Sequence, residues 1–304
     1  MNNIQVALIS RDYSASVKFT ESKFPGGELH VRVESVISEY ESEIVDFMMN
    51  GRLRGQDIEF VEFSLIYKND LDLIRIALMK DAIQEIIGSN TKYSLNMPYH
   101  PYARQDRVCA QGDAFSLRVA VNMIRSLNFD KILVKDPHSN VLAGMYPAGV
   151  LEIKSQDIVL MNLIRWNLSK SENPKSLVLI APDEGAFKKT ESLLDKFDYS
   201  AFTDVSMVRC FKKRDPKTGK ILSVECLDEI PNNPVTVVVT DDICDGGGTF
   251  IALIENIKHK FSKGSKFYLC VTHGIFSKGV DVLKEAGYDA VFAANDMTKY
   301  EQPY

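Results

Sequence analysis

The residues best able to do chemistry lie in Val237–Thr249, VVVTDDICDGGGT. A β-branched run ends in Asp241 and Asp242. Asp245 follows, then Gly246, Gly247, Gly248 and Thr249. In open parallel sheets, ligands bind beyond the carboxyl ends of the strands. Glycines let a backbone approach an anion closely and adopt positive φ. The N–H groups that open a following helix attract phosphate. Paired carboxylates suit sugar hydroxyls or the water around Mg²⁺. No lysine follows the glycines, which excludes a Walker-type loop. The plainer reading is an acidic strand–turn–helix, but three acids beside three glycines are unusual as turn material alone.

Three further constellations carry charge. Arg104, Gln105, Asp106 and Arg107 form a dense polar run beside Pro98 and Pro101. Guanidiniums suit bidentate phosphate binding, and Tyr99 and Tyr102 add aromatic faces. Asp136 and His138 flank Pro137 directly after an apolar run. A lone histidine is commonly structural, whereas Asp-x-His at a strand end suits a metal–phosphate site. Lys212 and Arg214 stand in the basic run KKRDPKTGK with Pro216 and Gly219, which by itself reads as a mobile charged loop.

The elements that must position these groups alternate between strand and helix patterns. Ile4–Ile9, Lys131–Lys135, Ser176–Ile180, Val235–Thr240 and Lys266–Thr272 read as strands. Val235–Thr240 is the clearest, β-branched and bounded by Pro234. Leu71–Ile87 has apolar residues at Leu71, Ile74, Leu78 and Ile83, the spacing of an amphipathic helix. Ser116–Leu127 and Phe250–Lys258 are further helix candidates. The alternation predicts an α/β fold with mostly parallel sheets. One strand series ends near Val150 and a second begins near Ser176. Two domains follow, 1–150 and 151–304, a division the 304-residue length also favours.

Composition narrows the function classes. The chain is 45% hydrophobic and 25% charged, ordinary globular material rather than a low-complexity or disordered sequence. Its net charge of −5 argues against general nucleic-acid binding, so any bound anion needs a local site. No apolar run has the length of a membrane helix, and the N-terminus lacks the pattern of a signal peptide. Cys109, Cys210, Cys226, Cys244 and Cys270 include no CxxC pair. They read as free thiols of a cytoplasmic protein, with Cys244 a minor redox liability beside the glycine loop.

Seven ordered segments carry a family resemblance. DDICDGGGT resembles the ribose 5-phosphate loop of type I phosphoribosyltransferases and ribose-phosphate pyrophosphokinases. Phe24–Glu28 (FPGGE), Pro98–Arg107 (PYHPYARQDR), Lys135–Ser139 (KDPHS), Ala181–Lys189 (APDEGAFKK), Phe211–Asp215 (FKKRD) and Thr272–Ser277 (THGIFS) resemble segments of the pyrophosphokinases specifically. The sequence is identified as a divergent member of the ribose-phosphate pyrophosphokinase family.

The resemblance implies two phosphoribosyltransferase type I-like domains, each with a mostly parallel sheet flanked by helices. It implies transfer of the β,γ-diphosphoryl group of Mg-ATP to the anomeric hydroxyl of ribose 5-phosphate, with release of AMP. Phe24, Gly27, Glu28, Arg104, Gln105, Asp106, Arg107 and His138 are then the ATP residues, Phe24–Glu28 being given to a neighbouring subunit. Asp136, His138 and Asp183 attend Mg²⁺. Asp183, Asp241, Asp242, Asp245, Gly246, Gly247, Gly248 and Thr249 hold the ribose phosphate, and Lys212 and Arg214 are catalytic. The implied assembly is a homodimer or a hexamer, with no nucleic-acid or membrane partner. The last residues are expected to return to the N-terminal domain.

The chain departs from the family at three places. Gly246 stands where the family has a threonine that binds the 5-phosphate, a hydrogen bond to a charged group worth about 1.5–3 kcal/mol. Pro137 replaces a leucine, and NVLAGMYPAGVLEI after His138 and Ser139 lacks the family's acids. A roomier phosphate pocket points to an alternative acceptor, ADP-ribose, giving ADP-ribose 1-diphosphate within NAD metabolism. A non-catalytic regulatory homologue is the alternative from another class. It predicts damaged ATP and catalytic motifs, whereas Arg104, Gln105, Asp106, Lys212 and Arg214 are all present.

Overall fold

The structure, a computed structural model, describes residues 3–10, 14–38, 44–45, 58–87, 91–168, 175–196, 202–214 and 221–299. The chain divides into two compact units, residues 1–153 and 154–304.

The first unit is built on a sheet of order β4-β3-β2-β1-β5-β6-β7-β8. Its strands are β1 (Ile4–Ile9), β2 (Ser14–Lys23), β3 (Leu29–Ser38), β4 (Ile44–Val45), β5 (Phe60–Leu65), β6 (Lys92–Asn96), β7 (Lys131–Lys135) and β8 (Leu151–Lys154). β5, β6 and β7 run parallel, while β1 to β4 form an antiparallel wing that joins β5 through β1. Helices α1 (Leu71–Ile87) and α2 (Ser116–Ser126) supply the crossovers. The α1 boundaries match the apolar spacing, but its buried face is Leu73, Ile76, Met79, Ile83 and Ile87, and Ile74 is 44% exposed. The helix is apolar on most sides, so periodicity locates it without choosing its face. Burial in α2 falls on Leu117, Ala120, Val121 and Ile124, one clean stripe.

The β2–β3 hairpin was not evident from the sequence. β2 runs parallel to β5, and the pairing through β1 sets Phe19 level with Leu65 at the carboxyl end of β5. Lys23 lies four residues further, so the hairpin overhangs the sheet edge by about 14 Å at ~3.4 Å per residue. Arg75 on α1 steadies it by a two-pronged bond to Glu21, at 2.8 and 3.0 Å.

The second unit has a sheet of order β11-β10-β9-β12-β13-β14. The strands are β9 (Ser176–Ala181), β10 (Asp204–Arg214), β11 (Ile221–Cys226), β12 (Thr236–Cys244), β13 (Lys266–Gly274) and β14 (Ala290–Asp296). All pairs are parallel except β10–β11, a hairpin on the edge. Helices α3 (Gln156–Leu168), α4 (Phe187–Lys196), α5 (Gly248–Ile257) and α6 (Asp281–Ala286) complete it. Alternate residues of the central strands feed two cores. Val178, Ile180, Val237 and Val239 pack with Leu253, Ile254 and Ile257 of α5. Leu177, Leu179 and Val238 pack with Leu160 and Ile164 of α3 and Leu193 of α4. Strands covered on both faces read as unbroken apolar runs, which is why this sheet was legible in the sequence. From β9 the chain steps one way to β10 and later returns to β12 on the other side. The sheet order therefore reverses between β9 and β12, and a crevice opens there at the carboxyl ends.

Candidate active site

The crevice of the second unit gathers residues from three adjacent strands. Asp183 follows β9 by two residues, Lys212 lies near the end of β10, and Asp241 and Asp242 lie near the end of β12. Lys212 Nζ is 2.6 Å from Asp183 Oδ2, and its side chain is only 5% exposed. The other carboxylate oxygen, Oδ1, accepts from the N–H of Ala186 at 3.2 Å. Asp183 thus pairs with the lysine and caps a turn, an arrangement the sequence did not reveal.

Asp241 and Asp242 are neighbours on a strand and so point to opposite faces. Asp242 is buried and Asp241 half-buried. Burial raises the Asp241 carboxyl well above the ordinary range, and the charges of Asp242 and Asp183 raise it further. Perturbed groups in a crevice are typical of functional sites.

β12 runs through both acids to Cys244, further than the apolar run alone predicts. Asp245 and Gly246 follow, and Gly247 caps α5 at φ +74°, with no side-chain hydrogen bond to the cap. Gly248 and Thr249 begin the helix, whose first N–H groups have no intrahelical acceptor. Gly247 must be glycine twice over: its φ is left-handed, and a Cβ would meet Leu283 Cδ2 at 3.1 Å. Gly246 differs. A Cβ there meets Lys278 Cε at 3.5 Å and Ser277 Oγ at 3.7 Å, ordinary contacts. The stem of Lys278 thus lies beside the position of the missing threonine, with room left for a Cβ.

The loop is tied down from behind. Ile275 and Phe276 donate their N–H groups to the Cys244 carbonyl at 2.9 and 3.2 Å. Phe276 has φ +49°, and its ring lies so close to Gly274 that a Cβ there would be 2.1 Å from Cε2. His273 is buried against Asn295, Nδ1 to Nδ2, at 3.1 Å. THGIFS thus acts as a brace for the glycine loop. Cys244 is buried, and its thiol is pushed up to about 12 by burial, then by Asp241 and Asp245. Burial keeps this thiol away from solvent.

Lys212 and Arg214 stand on β10, in register with β11, rather than in an irregular loop. The side chain of Arg214, and Asp215–Lys220 after it, lie outside the described residues, as do the last residues expected to return to the N-terminal domain.

In the first unit, the other predicted residues lie along the carboxyl edge of the parallel strands. The Arg104–Arg107 turn follows β6. Arg104, Gln105 and Arg107 are exposed, while Asp106 is buried and holds Arg107 Nε at 3.4 Å. His100 anchors the turn: it is buried between the Pro101 carbonyl at 2.8 Å and the Tyr146 hydroxyl at 2.9 Å, and burial lowers its pKa to about 4. Tyr102, at φ +60°, donates to Asp70 at 2.7 Å. Asp136 directly follows β7 at φ +37° and is buried, with His138 exposed two residues on. Non-glycine residues at positive φ are uncommon and collect at functional sites. Of the four such residues among those described, Tyr102, Asp136 and, in the second unit, Phe276 lie at carboxyl edges, while Asn128 precedes β7. Phe24, Gly27 and Glu28 form the tip of the β2–β3 hairpin, closed by Gly27 N–H to the Phe24 carbonyl at 2.8 Å. Phe24 is 55% exposed.

Among the described residues, no three His, Cys, Asp or Glu side chains form a preformed metal cluster. Mg²⁺ typically takes one or two carboxylates and completes its shell with water and substrate phosphates. The buried Asp136 carboxylate with exposed His138 fits that mode. Asp183, the third residue expected at the metal, pairs with Lys212. Nor is any helix among the described residues long and apolar enough to cross a membrane.

Two α/β units, one with a glycine-rich loop at its topological switch point and a lysine–carboxylate pair beside it, define a phosphoribosyltransferase-like fold. No family model matches the chain. Curated relatives do: it is 26% identical to "Ribose-phosphate pyrophosphokinase" of Aquifex aeolicus over 287 residues, 94% of this chain and 86% of that one. It is 24% identical to the protein of that name from Thermotoga maritima, covering 90% and 77% of the two chains. The crystal structure of phosphoribosylpyrophosphate synthetase from Mycobacterium smegmatis superposes with a TM-score of 0.66 at 22% identity, covering 91% of this chain and 80% of that one. The chain is a divergent homologue of the ribose-phosphate pyrophosphokinases.

Proposed function

We propose that the protein transfers the β,γ-diphosphoryl group of ATP to the anomeric hydroxyl of ribose 5-phosphate and releases AMP. The observation that carries this reading is the meeting of Lys212, Asp183 and Asp241 beside the Gly246–Gly248 loop. In this reading the N–H groups that open α5 receive the 5-phosphate, with Asp245 and Thr249 at the loop's ends. Asp241 and Asp242 orient the ribose hydroxyls. The sugar O1 attacks the β-phosphorus in line and AMP leaves. Lys212, in register on β10, stabilises charge on the transferring group together with Arg214. Asp183 holds the ammonium until the polyphosphate competes for it.

The first unit is the nucleotide side. Arg104 and Arg107 take phosphate oxygens, with Gln105 beside them and Asp106 setting the second guanidinium. Phe24, Gly27 and Glu28 serve ATP from the overhanging hairpin of a neighbouring subunit, which makes the working form a homo-oligomer, a dimer or a hexamer, in the cytoplasm. Asp136 and His138 would hold Mg²⁺, which when bound neutralises polyphosphate charge.

ADP-ribose is the weaker acceptor in this reading, because the Lys278 stem lies beside Gly246. The test is AMP release from Mg-ATP with ribose 5-phosphate or ADP-ribose at equal concentration, with mass spectrometry of the products. AMP chiefly with ribose 5-phosphate is expected. AMP chiefly with ADP-ribose overturns the acceptor assignment, and no AMP with either favours the regulatory homologue.

A further inference from the structure

The root of the β10–β11 hairpin holds two cysteines that the reaction does not use. Cys210 and Cys226 are direct cross-strand partners, and their sulfurs are 3.9 Å apart. The Leu227 N–H donates to the Arg209 carbonyl at 2.8 Å, which makes the neighbouring 209/227 couple the hydrogen-bonded one. Hydrogen-bonded and open couples alternate along an antiparallel ladder, so Cys210 and Cys226 form an open couple, with Cα atoms typically about 4.5 Å apart. That lies inside the span a disulfide bridges, about 4.4–6.8 Å. The sulfurs need only side-chain rotation to close to about 2.05 Å. Both thiols are free in this structure.

We propose that Cys210 and Cys226 form a thiol–disulfide site, closed across the strands by a low-molecular-weight disulfide oxidant. The two residues are suited to different parts. Cys226 is half-buried and Cys210 fully buried, so a small oxidant meets Cys226 first. The hydrogen bond donated by Cys210, together with the charge of Lys260, lowers the Cys226 thiol and favours its thiolate. Cys226 attacks one sulfur of oxidised glutathione and expels glutathione thiolate, leaving a mixed disulfide. While Cys226 is reduced, the hydrogen bond between the two sulfurs and then burial raise the Cys210 thiol. Once Cys226 is a mixed disulfide, Cys210 attacks Cys226 Sγ, and the departing second glutathione thiolate takes up the Cys210 proton. Two protein thiols lose two electrons and two protons, and one small disulfide becomes two thiols.

The position gives the bond a consequence. Lys212 is two residues beyond Cys210 on the same face of β10, opposite Val224, which stands two residues before Cys226. Closure staples the ladder next to the lysine and stiffens its strand.

The experiment is oxidation of the full-length protein with oxidised glutathione, alkylation of remaining thiols under denaturing conditions, and tryptic mass mapping. The expected product lacks two hydrogens relative to the reduced protein and yields linked fragments bearing Cys210 and Cys226. Hydrogen exchange across 209–213 and 223–227 slows on oxidation and recovers with dithiothreitol. Cys226→Ser abolishes the linked fragments, whereas Cys109→Ser, at an exposed site, retains them. The site is overturned if both cysteines still alkylate after treatment, or if glutathione stays on Cys226 without transfer to Cys210. Because the readout on the unsubstituted protein stands alone, a variant that folds poorly leaves the result intact.

Discussion

Lys212 is where charge and burial conflict most sharply. An ammonium 5% exposed needs a partner, and Asp183 supplies it at 2.6 Å. Lys212→Met keeps the stem and removes the charge. Steady-state AMP release is expected to fall by about 10²–10³-fold, as when one transition-state donor is lost elsewhere. Asp241 makes the opposite bargain. Its folded-state pKa lies above the ordinary 3.8, so the protonated carboxyl is the one the fold prefers. The stability it contributes is fully present below about pH 3.8 and is lost as pH rises through the folded value. Asp241→Asn is therefore expected to raise the melting temperature at neutral pH and flatten its dependence above pH 4. The same variant is expected to weaken acceptor use, a trade of stability for function seen in melting curves and KM together.

Elements set what these residues can reach. The glycine loop separates two kinds of glycine. Gly247→Ala puts a Cβ at φ +74° and 3.1 Å from Leu283, and is expected to destabilise the second unit by about 1–3 kcal/mol in urea titration. Gly246→Ala meets only ordinary contacts and is expected to leave the midpoint nearly unchanged. A second joint lies at the start of α3. Asp157 is buried, which raises its pKa, but hydrogen bonds from Lys196, Ser155, Ser192 and the Ile158 N–H prevail and hold it at about 2. It thereby ties α3 to α4. The stability it supplies is present above the unfolded value near 3.8 and is lost as pH falls toward 2. Asp157→Asn is expected to lower neutral-pH stability by about 1–3 kcal/mol and to remove that part of the acid transition, as followed by circular dichroism.

At the scale of the whole molecule, any ligand that binds only the folded chain stabilises it by mass action. Mg-ATP at 100 times its dissociation constant adds about 2.7 kcal/mol. Differential scanning fluorimetry is expected to show a rise in melting temperature with Mg-ATP that shrinks when a chelator removes the metal. An equal rise with ATP and chelator would remove Asp136 and His138 from metal binding.

The sequence by itself determined the parallel core and drew attention to the acids and glycines at its carboxyl edge. Val235–Thr240 was legible because a strand buried on both faces needs no alternation, and the acids and glycines that follow it have few structural uses. Leu71–Ile87 was located to the residue by its apolar spacing, though its face was not. The β2–β3 hairpin and the hairpin strands of Lys212 and Cys226 were not legible, because β2 and the end of β10 carry many polar residues and so lack the unbroken apolar run that marks the central strands. Only the tertiary structure decided which groups meet. Asp183 and Lys212 lie 29 residues apart in the chain, and the Lys278 stem lies against Gly246 across a further turn. Local sequence fixes which elements form through short-range sterics and burial periodicity. Which side chains share a crevice depends on strand order, and strand order is set by packing between distant segments.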